Sequence, residues 1–347
     1  MFRPLVWLVA AAALLATTPA RADDMDPALS RLRVVGGRGD CPNDEGRFCA
    51  DNELFERLVS EMAVTLAPPL SGPARTIGQT GWHLGVSTTV TTVQAAETYW
   101  VLGTEGADAS PGMAFNSAPD RALIWNRLHV RKGLPLGFEV QSFVGQGMQT
   151  SMWVVGAGIK WALVEGFRTG AGQLPDVAVA ASYSRSVGSS QVTFNLGSME
   201  LLLSKPFVLE RSYILSPIVG LQGLAVDVES GVVDLTPGGA PLTADGAPAE
   251  DAFASCLPEP GQQASPPDNR LCTGDDADLA NDVRFDPVTQ GRLRVMVGGE
   301  LRFDVLTFSF AIYADLLAPD LSADVRHLGS DTAARQLAFN VALGATL

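Results

Sequence analysis

The sequence predicts an all-β chain: a transmembrane, antiparallel up-and-down β-barrel of about ten strands (roughly eight to twelve), with a short helical segment ahead of it. Three observations predict this. From about residue 77 to the end, apolar residues alternate with small or polar ones at a period of two, which places them on opposite faces of strands. Hydrophobic residues make up 46% and mean hydropathy is +0.16, yet beyond the N-terminus there is no apolar run long enough for a membrane helix. Glycine, at 35 of 347 residues, exceeds its usual share of about 7%, as tight turns and a small-residue lumen require. A soluble exported β protein, burying the same faces in its own core, is the structural alternative.

The first 22 residues read as a secretory signal. Arg3 precedes an apolar run over 5–15, too short to span a bilayer, which leads to Ala20-Arg21-Ala22 and then Asp23. Removing Arg3 and Arg21 leaves 22 basic against 38 acidic residues, a net charge of -16 instead of -14. Such acidity argues against a nucleic-acid partner. Residues 23–76 are not β-patterned and are expected as a small periplasmic segment. In it, Asp51 or Asn52 caps a helix through Leu54, Phe55, Leu58, Val59, Met62 and Leu66, which Pro68 and Pro69 end. Whether that helix plugs the lumen or packs below the barrel stays open at this point.

The strands follow in order. Over 82–93, Trp82, Leu84, Val86 and Val90 share the outward face; the long connection 94–120 is expected to extend a strand at 99–102. Over 122–130, Ile124, Leu128 and Val130 point out, Arg127 and His129 in. A basic joint at 131–135 leads to a return arm with Leu136, Phe138, Val140 and Val144 outward and Glu139 inward. Trp153, Val155, Ile159 and Trp161 alternate with inward Lys160. Strands 177–185 and 191–203 flank a Gly188-Ser189-Ser190 turn; the second shifts phase from Val192, Phe194, Leu196 to Met199, Leu201, Leu203, predicting a bulge at Gly197. Strand 213–226 has aliphatics on both faces. Residues 228–290 read as a long loop, 292–303 as a strand with Arg292, Arg294, Glu300 and Arg302 inward, and 306–314 as its partner. A last loop, 315–335, leads to a terminal strand in which Leu337, Phe339, Val341, Leu343, Ala345 and Leu347 alternate with smaller or polar residues.

The signal, the alternating strands and that terminal segment together resemble the bacterial outer-membrane β-barrel proteins, over about residues 77–347. The family's last strand serves as its recognition signal for the barrel-insertion machinery and usually closes on an aromatic, where this chain has Leu347. The resemblance implies an outer-membrane location with lipid around the barrel. With both ends in the periplasm, the three long loops, 94–120, 228–290 and 315–335, become extracellular. That topology puts Cys41 and Cys49 across the membrane from Cys256 and Cys272, so the local pairs are the expected disulfides. No zinc-ligand spacing accompanies them.

The inward set Arg127, His129, Glu139, Lys160, Glu200, Arg294, Glu300 and Arg302 is mixed in sign. It reads first as a salt-bridged filling of a narrow lumen and second as a selectivity ring in a solute path. The acidic run from Asp275 to Asp286 lacks the EF-hand glycine and glutamate and reads as a solvated loop. For hydrolytic chemistry the candidates are Asp324 and His327, with Asp315 and Asp320, but no nucleophile elbow or His-Glu-x-x-His motif is present. The expectation is therefore a non-enzymatic outer-membrane barrel without cofactor or metal, with a surface-loop binding or envelope structural role and an extracellular ligand or small solute as partner. A narrow channel or passive transporter is the alternative, and an outer-membrane hydrolase comes third.

Overall fold

The computed structural model describes residues 24–35, 41, 48–69, 71–106, 115–165, 174–210, 213–235, 282–317 and 335–347. The signal segment, Cys256, Cys272, the acidic run from Asp275 to Asp278, Asp320, Asp324 and His327 lie outside these residues.

Two short strands, β1 (Arg33–Val35) and β2 (Phe48–Ala50), pair ahead of helix α1 (Asn52–Thr65). The barrel begins with β3 (Trp82–Thr92), followed after helix α2 (Thr98–Gly103) by β4 (Ala122–Gly133), β5 (Phe138–Gly147), β6 (Trp153–Val164), β7 (Asp176–Val187) and β8 (Val192–Ser204). A short edge strand, β9 (Phe207–Glu210), lies against β10 (Tyr213–Ser230); the minor pair β11 (Val233–Asp234) and β12 (Asp282–Val283) precedes β13 (Val288–Phe303). Two further strands, β14 (Leu306–Leu317) and β15 (Leu337–Thr346), complete the chain. Ten strands pair antiparallel with their sequence neighbours, β8 with β10 and β10 with β13 included. The ring closes where β15 meets β3, from Ala338↔Thr91 to Thr346↔His83, and Leu347 N donates to Trp82 O at 2.7 Å. Closure leaves the ten-stranded ring without a free edge, the short β9 at its rim aside, as a strand structure in lipid requires.

The connections sort onto two rims. One holds the joints 134–137, 165–175, 205–212 and 304–305 with the C-terminus; the other holds 93–121, 148–152, 188–191, 231–287 and 318–336. On the short-turn rim, Leu136 has φ 63° and Asp304 φ 51°. Leu136, expected in the return arm, is thus a turn residue, and the strand begins at Phe138.

Three other expectations change. Residues 98–103 are helical rather than extended, because Trp100 and Tyr99 turn inward to pack on α1. Pairing of β8 with both neighbours runs through Gly197 without a register shift, so there is no bulge. Instead Val192, Phe194 and Leu196 share the inward face with Ser198, Glu200 and Leu202, the first three meeting an apolar lumen. Both flanking loops are shorter than expected: β10 continues to Ser230, β13 starts at Val288 and β14 reaches Leu317. In β10 the ambiguity resolves with Ser216, Ile218, Gln222, Leu224, Val226 and Val228 inward.

Candidate functional site: a lumen filled by the chain's own N-terminal segment

Among the described residues polar groups converge in the lumen, and the segment from Asp51 to Thr76 occupies it. These residues do not sit below the barrel as a periplasmic appendage. They run through it, because α1 carries an apolar face that the long-loop half of the barrel wall matches.

In that half, Phe55, Leu58, Val59, Met62, Ala63 and Leu66 pack with wall residues Leu123, Trp125, Phe143, Val154, Phe194, Leu196, Val226 and Val228 into one core. Phe55 stacks on Phe285 at 4.7 Å. Asp51 caps α1 by accepting from Leu54 N at 3.0 Å. At the other end, Arg127 donates to Thr65 O at 3.0 Å and to Thr89 Oγ1 at 2.8 Å, so a wall cation satisfies a helix C-terminal carbonyl. Trp125 Nε1 donates to Thr65 Oγ1 at 3.1 Å. On the helix flank, Arg292 donates to Ser60 O at 3.0 Å and Ser60 Oγ at 2.8 Å.

Glu61, wholly buried, is the polar hub that docks α2. It accepts from Gln94 N at 2.9 Å, Tyr99 OH at 2.5 Å and Trp100 Nε1 at 2.9 Å. Burial, then the adjacent Glu61 charge, raise the Tyr99 phenol well above the ordinary tyrosine value of 10.0.

The short-turn half is polar. There the segment is irregular, with a bend at 73–75, and its backbone is held by the wall. Lys160 Nζ donates to Ser71 O at 2.9 Å and Pro73 O at 3.0 Å while pairing with Glu139 at 3.1 Å. Arg131 donates to Ser71 O at 3.0 Å and lies 3.6 Å from Glu139 and 3.9 Å from Glu300. Ala74 N donates to Ser204 Oγ at 2.9 Å, Thr76 N to Glu165 at 2.9 Å and Ile77 N to Glu139 at 3.1 Å. A second network lies nearer the long-loop rim, beside α1: it joins Arg292 and Arg294 to Asp315 at 2.9 and 3.4 Å, with Gln222 bridging Arg294 and Glu200 at 3.4 and 2.8 Å. Between β3 and β4 the His83 and His129 rings stack at 5.4 Å beside a cavity of about 20 Å³, room for a water, bordered by Ser87, Arg131, Glu300 and Asn340.

Of the eight residues proposed from alternation, Arg127, Glu139, Lys160, Glu200, Arg294 and Glu300 are buried inside; His129 is half-buried and Arg302, near the rim, donates to Asp304 O at 2.9 Å. Sequence reasoning missed Arg131, Asp315, Glu165 and Glu61. Arg131 was assigned to a joint and Asp315 to a loop because the strands run further than their alternation shows; Asp315 is buried between two arginines, not poised at a hydrolytic centre. A countable signal existed: the inward arginines of 292–302 outnumbered their inward carboxylates.

Cys41 and Cys49 form a disulfide, Cα atoms 5.7 Å apart. It lies at the long-loop rim, where Arg33 donates to Leu235 O and Asn52 meets Asp286 at 2.7 Å. The local pair therefore forms without the membrane separation that was expected to enforce it.

Outside, the barrel carries an apolar belt. Val140, Val155, Ile159, Leu201, Val219, Val297, Phe308, Phe310, Phe339 and Val341 are all solvent-facing. At the short-turn rim the belt ends in aromatics: Phe138 stacks on Trp161 at 5.5 Å, Tyr213 on Phe303 at 4.6 Å, and Lys132 caps Trp82 at 5.0 Å. The chain is a closed, ten-stranded antiparallel β-barrel with a filled lumen and an apolar outer belt, the architecture by which strands cross an outer membrane.

No protein-family model matches the barrel and no curated protein does. Among solved structures, the N-terminal β-barrel domain of Pseudomonas aeruginosa OprF matches at 9% identity and TM-score 0.29, over 78% of this chain and 99% of that one. Ail, the attachment invasion locus protein of Yersinia pestis, matches at 6% and 0.26 over 78% and 99%. The KdgM porin matches at 6% and 0.26 over 76% and 98%. At these identities and scores the likenesses say nothing about what this barrel does.

Proposed function

We propose that this protein is a sealed, non-enzymatic outer-membrane barrel whose role is carried by its outer rim: a surface-binding or envelope-structural platform, not an open pore. The observation that carries this is the occupancy of the lumen by residues 51–76, held by apolar packing around α1 and by paired charges along the path. A selectivity ring needs hydrated, unoccupied charges, whereas Lys160, Arg131 and Arg294 are each bound to the segment or to wall partners. Lipid covers the belt, and β15 presents the terminal pattern for the insertion machinery. The long-loop rim, by the usual orientation of such barrels, faces outward. The test is planar-bilayer recording of the purified full-length protein. The expected result is a silent membrane; steady single-channel conductance from the intact protein overturns the sealed-barrel reading in favour of passive transport.

A further inference from the structure

We propose that the barrel carries its own N-terminal segment to the outer face of the membrane and closes around it. This rests on the sealed-barrel reading above, and deepens it by assigning what the outer rim displays.

The path is continuous. The chain enters β3 at the short-turn rim, where Ile77 N is held by Glu139 and Lys132 Nζ donates to Gln79 O at 3.1 Å. Followed backwards, it climbs past Ser204 at Ala74, past Arg131 and Lys160 at Ser71, past Arg127 at Thr65 and past Arg292 at Ser60. It leaves the barrel at Asn52 beside Asp286. Beyond the barrel, Asp51 N donates to Leu32 O at 3.0 Å, Leu29 N to Gln191 Oε1 at 2.8 Å and Met25 N to Gln149 O at 2.9 Å. Gln149 and Gln191 belong to the 148–152 and 188–191 joints. Residues 24–35 and the Cys41–Cys49 disulfide therefore sit on the rim opposite the one where the chain enters β3. Export delivers the chain to the periplasmic side, so these residues have crossed the membrane through the barrel that follows them.

The lumen's width says when. In the short-turn half a single irregular chain fills the bore: Arg131 of β4, Gln141 of β5 and Lys160 of β6 all reach Ser71, and Ser204 of β8 reaches Ala74. At the rim, a Cβ at Gly133 would lie 1.8 Å from Gly78 O. A helix with its side chains is about 10–12 Å across, and barrels of this size are filled by side chains. Neither α1 nor the disulfide-closed loop passes through that half once the ring is shut. The segment is in place first, and the β15–β3 seam zips last.

Three measurements test this in the full-length protein. A short epitope placed ahead of Asp24 is expected to bind antibody on intact cells, while one in the 304–305 turn binds only after permeabilisation. An N-terminal epitope silent on intact cells and revealed by permeabilisation overturns the delivery. Independently, Ala74→Cys with Ser204→Cys is expected to give a crosslinked peptide from the heat-modifiable species. Crosslink present with a periplasmic epitope sinks the delivery and leaves the sealed lumen standing; a folded barrel without the crosslink sinks both. If the double variant does not fold, the epitope chain, which alters no native residue of the segment, still decides. Finally, a small stably folded domain fused ahead of Asp24 is expected to reach the surface. Its arrest inside, when an unstructured passenger of equal length passes, shows threading through a closed ring and overturns the closing-around step.

Discussion

Glu139 illustrates how single residues hold the lumen. Its carboxylate serves Lys160, Arg131 and the Ile77 amide together, so Glu139→Ala leaves two buried cations short of a counter-charge. Breaking a buried pair costs about 3–5 kcal/mol, and the urea midpoint of the folded barrel is expected to fall accordingly; Glu139→Ala combined with Lys160→Met should recover part of the loss. Tyr99 gives a pH-dependent test outside the membrane span. Its folded pKa is raised, so its contribution is fully present below the ordinary value of 10.0 and is lost as pH climbs above that. Phenolate absorbance followed on alkaline titration should include a late-ionising step whose amplitude falls by one tyrosine in Tyr99→Phe. An unchanged late amplitude in the variant refutes the Glu61 dock as its source. The residues that hold the segment were only partly visible beforehand: alternation marks Glu139 and Lys160 as inward, but not that their partners are the carbonyls of Ser71 and Pro73.

Helix α1 stands by what it packs against. Asp51→Ala removes one cap hydrogen bond, for about 0.5–2 kcal/mol. Phe55→Ala removes a fully buried ring stacked on Phe285, for about 3–5 kcal/mol. The ratio is checked by comparing protease sensitivity of residues 48–69 in the two variants within folded barrels; equal sensitivity would show that the cap, not the packing, seats the helix. Legibility differed along these elements. The α1 periodicity and its Asp51 cap were readable locally, since both depend on neighbours three and four residues away. The supposed phase shift at Gly197 was not, because apolar residues on both faces of β8 have different causes: the exposed outer belt at Met199, Leu201 and Leu203, and α1's core inside at Val192, Phe194 and Leu196.

For the whole molecule, closure is the property with the sharpest consequence. A sheet sealed from β15 to β3 resists detergent until heated, so the unboiled protein is expected to migrate differently from the boiled protein on a gel. Identical mobility from outer-membrane fractions would mean that the seam is not closed in the membrane. Inside the ring, apolar burial and the Glu61 and Arg292 contacts hold α1 in the long-loop half, and the Lys160, Arg131 and Glu139 cluster fixes the path of the irregular chain in the short-turn half.

By itself the sequence determined the ring of antiparallel strands and most of their inward and outward faces, which follow from a period of two and from turn chemistry, both local properties of the chain. The Cys41–Cys49 pair was expected from a membrane topology that the disulfide's place on the long-loop rim removes. Only the tertiary structure decided that residues 51–76 lie inside the ring, that Asp315 answers Arg292 and Arg294, and that Glu61 gathers Gln94, Tyr99 and Trp100. Those pairings join residues far apart in the chain, and nothing in the alternation of either partner specifies the other until the strands have closed around the segment.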